Sequence, residues 1–356
     1  MTYVFNRAMT ERRMLLTVES LTWKEMYCGI GTFSIVCRNT DENASMLRKG
    51  NLVHFDGYDG LIQDVTIQDD SITANGNSLA VILNQRTAYN DTVITSAESG
   101  AYSLFLANNR GLDVDAATAK GLPGTCEVSV EKGGTLGDWM EQICSQAGLG
   151  FRVTLDEHSL KKTFEVYQGD DLTSPTDPQS VVFSTARNNL AGLQIEDDGS
   201  EYANVAVVKG KDLNDHEVMC IVGTATGAER YEIYVDMTGD PQKAAVTEFN
   251  DEGEEEIVEP AESNSAYQAR LAAAGQEALQ ERVSKTSFTV TVQPTDYGVR
   301  YKLGDLVKCY SKKHGIELTA RVSEVKYTKD TKKDTLEITL GEPTLTMRKL
   351  VKLWQK

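Results

Sequence analysis

Two heptapeptides decide the fold, YKLGDLV at residues 301–307 and LRKGNLV at residues 47–53. Each places a glycine and a small polar residue directly before a short apolar strand, and these turn residues are Gly50, Asn51, Gly304 and Asp305. Glycine adopts a positive φ at little cost, so both stretches predict a tight turn that leads into a buried strand. The chain therefore uses one local structure twice.

The segments that follow the two turns also match. LIQDVTI at 61–67 and RVSEVKY at 321–327 share an apolar alternation that slips by one residue at a polar–acidic pair. The pair is Gln63–Asp64 in the first copy and Ser323–Glu324 in the second. A β-bulge adds one residue at such a slip and so restores the inward face of a strand. The matching bulge favours a duplication over two unrelated meanders.

Each copy continues into a third, alternating strand, DSITANG at 70–76 and DTLEITLG at 334–341, and both end on glycine. A turn, a strand, a bulged strand and an alternating strand together form a short antiparallel meander of the kind found in small barrels. The predicted fold class is α+β and mainly β, with two related small β-barrel domains and α+β insertions. The expected domains are a first β-barrel-like domain at 1–95, an α+β insertion at 96–190, a second β-barrel-like domain at 191–230 with 286–343, an insertion at 231–285 and a basic C-terminal tail at 344–356.

Helix signals mark the two insertions. TLGDWMEQICSQAG at 135–148 begins with a capping box of Thr135 and Asp138 and ends at Gly148, where a left-handed cap belongs. Strands are expected after it, in FRVTLD and KTFEVYQ. A second helix is predicted at 265–284, with a capping box of Ser265 and Gln268.

Composition limits the function. The chain has 356 residues and a net charge of −17, which argues against a general nucleic-acid binder. No apolar run is long enough to cross a bilayer, so no stable membrane insertion is expected, and the N-terminus lacks the pattern of a signal peptide. The six cysteines are scattered without a CxxC pair and are interpreted as buried apolar residues.

No catalytic residue, metal ligand or cofactor site is predicted. The four histidines lie far apart in the sequence, and no nucleophile elbow, P-loop or HExxH motif is present. HFDGYDG at 54–60 is the most suggestive cluster, because Asp56 and Asp59 could serve as an acid–base pair. Asp-Gly is also a common hairpin signal, and the turn interpretation is preferred.

The duplicated meander, the insertion between its copies and the closing TLGEPTLTMRKLV at 339–351 resemble a known family. The resemblance is to phage tail-tip or baseplate hub proteins, including Tal-like tail-associated proteins and hubs of contractile injection machines. It extends over most of the chain as pattern and order, without a single diagnostic motif. The segments that carry it are GTFSIVCR at 31–38, LRKGNLVHFDGYDGLIQDV at 47–65, NSLAVILNQR at 77–86, YKLGDLVKC at 301–309 and RVSEVKY at 321–327.

The resemblance implies a non-enzymatic virion protein at the tail tip or baseplate, made in the bacterial host cytoplasm. It implies a homotrimer in which two related barrels per chain give a ring of six, matching a sixfold tail tube to a threefold tip. Expected partners are distal tail and tail-tube proteins, the tape-measure protein and tip or fibre proteins. DNA is expected to pass through the channel without specific binding, and the acidic charge of the chain would help to repel it.

Two other interpretations stay open from the sequence. One is a tail protein that binds a host-surface glycan or receptor through its loops, and the other is a cell-wall hydrolase. Lys349, Lys352 and Trp354 in the basic tail are candidates for docking a partner.

Overall fold

The computed structural model of the chain describes residues 2–187, 189–198, 202–249, 255–280, 282, 285–292, 296–311, 316–330 and 334–345. Contacts divide the chain into two units. The larger contains residues 1–195 and 287–356, and the smaller contains residues 196–286. Both copies of the repeat belong to the larger unit.

Residues 2–78 form the strands around the first copy. They are β1 (Thr2–Phe5), β2 (Arg12–Met14), β3 (Val18–Met26), β4 (Thr32–Arg38), β5 (Leu52–Phe55), β6 (Tyr58–Ile67) and β7 (Ser71–Ser78). A short helix, α1 (Asp41–Met46), precedes the turn at Gly50, and a 3-10 helix covers Leu79–Gln85. Trp23 is fully buried and stacks on Phe33 with ring centroids 4.7 Å apart, so alternate residues of β3 and β4 face one core.

The first insertion combines two helices with short strands. Its elements are β8 (Thr92–Ser96), α2 (Ala97–Asn108), β9 (Asp115–Ala116), β10 (Thr125–Val130), α3 (Leu136–Gln146), β11 (Gly150–Leu155) and β12 (Lys162–Tyr167). The predicted helix at 135–148 corresponds to α3, where Thr135 Oγ1 accepts a hydrogen bond from the Asp138 amide at 3.3 Å. Gly148 has a φ of +63°, as a left-handed cap requires. The signals at both ends of this helix are therefore confirmed.

The second copy lies among two strands that precede the smaller unit and four that follow it. These are β13 (Val182–Ser184), β14 (Leu190–Asp198), β20 (Lys285–Val292), β21 (Leu306–Ser311), β22 (Ile316–Asp330) and β23 (Asp334–Leu345). Within the described residues they join the first set in one sheet of thirteen strands. Its order is β14-β20-β23-β22-β3-β4-β7-β6-β5-β1-β2, and β21 pairs with β22 and with β13. The mainly β fold class is confirmed.

The smaller unit has its own sheet and helix. Its elements are β15 (Val205–Lys211), β16 (Glu217–Val222), β17 (Glu232–Asp236), β18 (Val246–Phe249), β19 (Glu255–Glu259) and α4 (Asn264–Gln280). We expected residues 191–230 to belong to the second barrel. That boundary is wrong for β15 and β16, because β15 pairs with β16 on one side and with β17 on the other, in a sheet separate from the thirteen strands.

Helix α4 also starts earlier than predicted. The Ala266 amide donates to Ser263 Oγ at 3.2 Å, so Ser263 is the capping residue and the box at Ser265 and Gln268 is wrong. The buried side chain of Gln242 explains the shift. Its Nε2 donates to the Glu262 carbonyl at 2.7 Å and to Asn264 Oδ1 at 2.9 Å, which fixes the chain just before the helix.

Candidate functional site

The two predicted turns have the same backbone geometry. Gly50 and Gly304 have φ values of +89° and +96°. The Gly50 amide donates to the Ile62 carbonyl at 2.8 Å, and the Gly304 amide donates to the Val322 carbonyl at 2.8 Å. A positive φ at these positions favours glycine, which explains the residue type in both copies.

The polar residue after each glycine holds an upstream segment of the chain. Asn51 is buried, and its Oδ1 accepts from the Arg7 amide at 2.9 Å. Asp305 is buried too, and its Oδ1 accepts from the Asp170 amide at 2.8 Å. Burial raises the pKa of the Asp305 carboxyl, and its two backbone amide donors, at Asp170 and Lys302, oppose that shift. In both copies this position ties the turn to a distant loop, after β1 in the first copy and after β12 in the second.

The bulges occur where the sequence predicts them. The register between β6 and β7 shifts between Ile62 and Asp64. The register between β22 and β23 shifts between Val322 and Glu324, at the equivalent place. The predicted bulges at Gln63–Asp64 and Ser323–Glu324 are confirmed. The terminal glycines of the third strands are not equivalent, because Gly76 pairs with Ile62 whereas Leu340, not Gly341, pairs with Val322.

The likeness of the two copies extends beyond the predicted meander. The strand order β3-β4-β7-β6-β5-β1 has a counterpart in β14-β20-β23-β22-β21-β13. Ile35 of β4 pairs with Ala74, and Val290 of β20 pairs with Ile338, at the same distance from the bulge. The related sequences TFSIVCR at 32–38 and SFTVTVQ at 287–293 are the sequence signal for this further likeness. The outermost strands differ, because β1 pairs antiparallel with β5 and β13 pairs parallel with β21.

One strand pair joins the two copies. The second half of β22 pairs antiparallel with β3, from Glu324 opposite Met26 to Asp330 opposite Ser20. Lys24 Nζ forms an ion pair with Glu324 Oε2 at 2.7 Å across this joint. We call the β22–β3 pair the internal joint. It uses the bulged strand of the second copy and the first strand of the first copy.

Over the residues described, the two strands that correspond to β22 and β3 in the opposite copies do not pair with each other. The counterpart of the second half of β22 is residues 64–67 of β6, and the counterpart of β3 is β14. In the described part of the chain, β14 ends the sheet and residues 64–67 pair only with β7. The side chain of Ile67 is 59% exposed, whereas its counterpart Tyr327 packs on Phe55 with ring centroids 5.3 Å apart. Each copy thus contains both strands that such a joint requires. Within the chain, only the bulged strand of the second copy and the first strand of the first copy form the joint, among the described residues.

The HFDGYDG segment forms the β5–β6 hairpin. Asp56 and Gly57 have φ values of +51° and +86°, as a two-residue Asp-Gly turn requires. Asp59 is buried, its Oδ1 lies 2.8 Å from His54 Nδ1, and its Oδ2 accepts from the Leu155 amide at 2.9 Å. Asp59 therefore uses Oδ1 to bridge the two strands of the hairpin and Oδ2 to hold the hairpin against β11.

A cavity of about 260 Å³ lies beside this hairpin, lined by Glu25, Tyr58, Arg152, Tyr167 and Tyr297 among others. Burial raises the pKa of Glu25 to about 8, although the carboxylate accepts a hydrogen bond from Trp23 Nε1 at 2.7 Å. Asp59 also lines the cavity, and each of its oxygens has a hydrogen-bond partner within the protein.

Among the described residues, no group of three His, Cys, Asp or Glu side chains is arranged to hold a metal ion. No helix there is long and apolar enough to cross a membrane. The six cysteines all lie in the described residues, and none of them forms a disulfide there. Lys349, Lys352 and Trp354 lie outside the described residues.

Three solved structures to which the chain is similar are described as tail proteins. The chain is similar to a tail protein from Neisseria meningitidis MC58, with 16% identity, a TM-score of 0.55 and 96% of each chain covered. It is similar to the 43 kDa tail protein of prophage MuSo2 from Shewanella oneidensis, with 11% identity, a TM-score of 0.54 and 95% of each chain covered. It is also similar to prophage tail protein gp18 from Listeria monocytogenes EGD-e, with 13% identity, a TM-score of 0.50, and 100% and 99% coverage.

The fold is therefore that of a class of phage tail proteins, as the resemblance in the sequence implied. Residues 1–342 match the family described as Siphovirus ReqiPepy6 Gp37-like protein, and the chain belongs to that family. No curated protein matches the sequence.

Proposed function

We propose that this tail protein is a non-enzymatic, homotrimeric hub at the tail tip or baseplate. In this proposal it adapts the sixfold tail tube to a threefold tip and encloses the channel for the genome. The observation that carries the proposal is the internal joint together with its two open counterparts. In the described residues the chain pairs β22 with β3, whereas β14 ends the sheet and residues 64–67 of β6 pair only with β7, and in this proposal these two edges pair with neighbouring copies.

Pairing of these edges between symmetric copies would produce a closed ring. If β6 of one chain pairs with β14 of the next, each seam between chains repeats the internal joint. Three chains then supply six equivalent steps, and the ring closes with every joint surface paired. Strand addition at an exposed sheet edge is a common mode of protein association, because backbone hydrogen bonds supply much of the affinity.

The distribution of charge refines the expected channel. Residues 196–286 contain 21 acidic and 7 basic side chains, a net charge of −14. The rest of the chain contains 32 acidic and 29 basic side chains, a net charge of −3. A ring built from the larger units would thus be only weakly acidic, about −9 for three chains. We propose that DNA passes this ring without specific binding and that most of the acidic charge serves another purpose.

The partners in this proposal are distal tail and tail-tube proteins, the tape-measure protein and tip or fibre proteins. The engaged oxygens of Asp59 and the hairpin position of Asp56 give the hydrolase alternative no free acid–base pair. We assign cell-wall cleavage to another protein of the tail.

The seam is tested by placing a charge on the open edge of β6. Ile67→Asp puts a carboxylate at a position that becomes buried between strands in the ring, which costs several kcal/mol at an interface. Val93→Asp on β8 is the matched control, because Val93 is 61% exposed and Ile67 is 59% exposed. Both variants are expected to melt close to the wild-type temperature, since neither side chain is in the core.

The measurement is the amount of this chain in tails purified from phage that carry each substitution, by quantitative mass spectrometry. We expect at least a tenfold loss for Ile67→Asp, equal to about 1.4 kcal/mol or more in assembly. We expect tails with Val93→Asp to contain the chain at nearly the wild-type level. Equal incorporation of the two variants would exclude the β6 edge as a seam.

A further inference from the structure

The sheet of the smaller unit has one face covered by its own helix. Tyr267 and Leu271 of α4 are buried against β15 and its neighbours. Gly275 brings the helix close, because a Cβ at this position would lie 2.8 Å from methyl groups of Val208 and Val222. This face is a complete two-layer core.

The opposite face carries large apolar side chains that the described residues leave exposed. Val207 of β15 lies between Ile221 of β16 and Tyr234 of β17 in the strand register. Met219 is opposite Lys209, one step along the sheet from this row. The exposed fractions are 60% for Ile221, 59% for Tyr234 and 51% for Met219. We call Val207, Met219, Ile221 and Tyr234 the open face.

The sequence of β16 is that of a strand buried on both sides. Val218, Cys220 and Val222 point toward α4, while Met219 and Ile221 point away from it. A strand with one solvated face alternates apolar and polar residues, whereas a strand covered on both faces is apolar nearly throughout. Contiguous exposed apolar residues on a sheet mark an interaction surface. The open face therefore has the character of a surface that a partner covers.

Charge indicates the kind of partner. Residues 196–286 carry a net charge of −14, so a second copy of this unit is repelled. The cations nearest the open face are already paired within the unit, Lys209 with Glu217, Lys211 with Asp215 and Arg230 with Glu232. Asp236 stays ionised at the margin, because the hydroxyl and amide of Thr238 lower its pKa. An apolar centre within an acidic unit is complementary to a surface with apolar residues and a basic rim.

We propose that the open face binds a different protein of the assembled tail, one that presents apolar side chains surrounded by Lys and Arg. This proposal rests on the proposed function only in placing the chain in the tail, and it is independent of the trimeric ring. It assigns the acidic charge of residues 196–286 to the recognition of a partner.

Side-chain oxidation by hydroxyl radicals tests the proposal, because Met and Tyr react readily when exposed. Met219 and Tyr234 are compared in the free chain and in purified tails by mass spectrometry. We expect at least a fivefold lower oxidation of both residues in tails. A zero-length carboxyl-to-amine cross-linker is expected to join Asp236 or a nearby acid to a lysine of another tail protein.

Two results would overturn the proposal that the open face binds another tail protein. Equal oxidation of Met219 and Tyr234 in tails and in the free chain would overturn the proposal, as would cross-links from this region to copies of this chain alone. An Ile221→Asp variant adds a second test, with Val93→Asp again as its control. We expect Ile221→Asp tails to keep this chain but lose the cross-linked partner, and retention of that partner would contradict the proposal. Incorporation of the chain itself is scored separately and bears on the hub function.

Discussion

At the scale of single residues, the two turn glycines are equivalent in backbone and different in surroundings. A Cβ added to Gly50 would lie 3.3 Å from the flexible side chain of Arg7. A Cβ added to Gly304 would lie 2.4 Å from the ring of Tyr27, which is buried. The same substitution therefore tests backbone strain alone in one copy, and strain with overpacking in the other.

We expect Gly50→Ala to lower the free energy of unfolding by about 1–2 kcal/mol, the cost of a positive φ for a residue with a Cβ. We expect Gly304→Ala to cost about 1–3 kcal/mol more, because the Tyr27 ring must move. Thermal melting of the two variants checks the order. A Gly50→Ala protein that melts below the Gly304→Ala protein would contradict the equivalence of the two turns.

A histidine links the first copy to the insertion. His54 Nδ1 lies 2.8 Å from Asp59 Oδ1, and His54 Nε2 lies 3.0 Å from Glu157 Oε1. Arg12 Nη2 is 2.6 Å from Glu157 Oε2. An imidazole that faces a carboxylate at each ring nitrogen donates to both only when it is protonated. The hydrogen bond to Asp59 raises the pKa of His54 above its usual 6.5, and burial opposes that shift.

This arrangement predicts a stability that falls as the pH rises. The contribution of a group with a raised pKa is complete below the unfolded pKa, about 6.5 for histidine, and is lost as the pH passes the folded value. We expect wild-type protein to lose about 1–2 kcal/mol between pH 6 and pH 9 through this group, the scale of charged hydrogen bonds. His54→Gln is expected to remove that dependence.

Melting temperatures across this pH range provide the check. His158→Gln is the control, because His158 is exposed and does not bridge the hairpin to the insertion. The interpretation is wrong if His54→Gln and His158→Gln retain the same pH dependence.

At the scale of secondary-structure elements, local signals were enough for the repeat. The glycine turns, the slips at Gln63–Asp64 and Ser323–Glu324, and the caps of α3 all act within a few residues. Such features are fixed by short-range sterics and hydrogen bonds. Sequence patterns therefore predict them well.

Helix α2 shows where local signals fail. Its buried residues, which include Ala97, Glu98 and Phe105, share one face, but that face contains an acid and the apolar Leu106 is exposed. The Glu98 carboxylate accepts hydrogen bonds from the amides of Lys120 and Leu122, both at 2.7 Å. From the sequence alone, an acid such as Glu98 is expected at the surface, although in the structure it is buried and accepts hydrogen bonds from the amides of a distant loop. Only the tertiary structure reveals its role.

The assignment of β15 and β16 failed for a related reason. Their sequences predict strands, and the structure contains those strands. A pattern of apolar residues does not, however, indicate which strand pairs with which. Pairing with β17 and coverage by α4 place them in the smaller unit. The internal joint was equally hidden, because β3 and β22 are about 300 residues apart in the sequence.

At the scale of the whole molecule, the duplication explains the repeated strand order and the joint between the copies, which an active site would not require. Over the residues that the structure describes, five strands repeat in the same order, one strand pair joins the copies, β14 ends the sheet and residues 64–67 of β6 pair only with β7. Exposed sheet edges are normally protected, because they pair readily with other chains. Open edges of this kind are expected in a protein whose purpose is to assemble.

The central claim is that three chains present six equivalent β units around the tail axis, with β6 of each chain paired to β14 of the next. Electron cryomicroscopy of an assembled tail tip measures this directly. The account predicts three copies of this chain in a closed ring, with the register of the internal joint repeated at every seam. A ring of any other copy number, or three chains whose residues 64–67 remain unpaired, would contradict it.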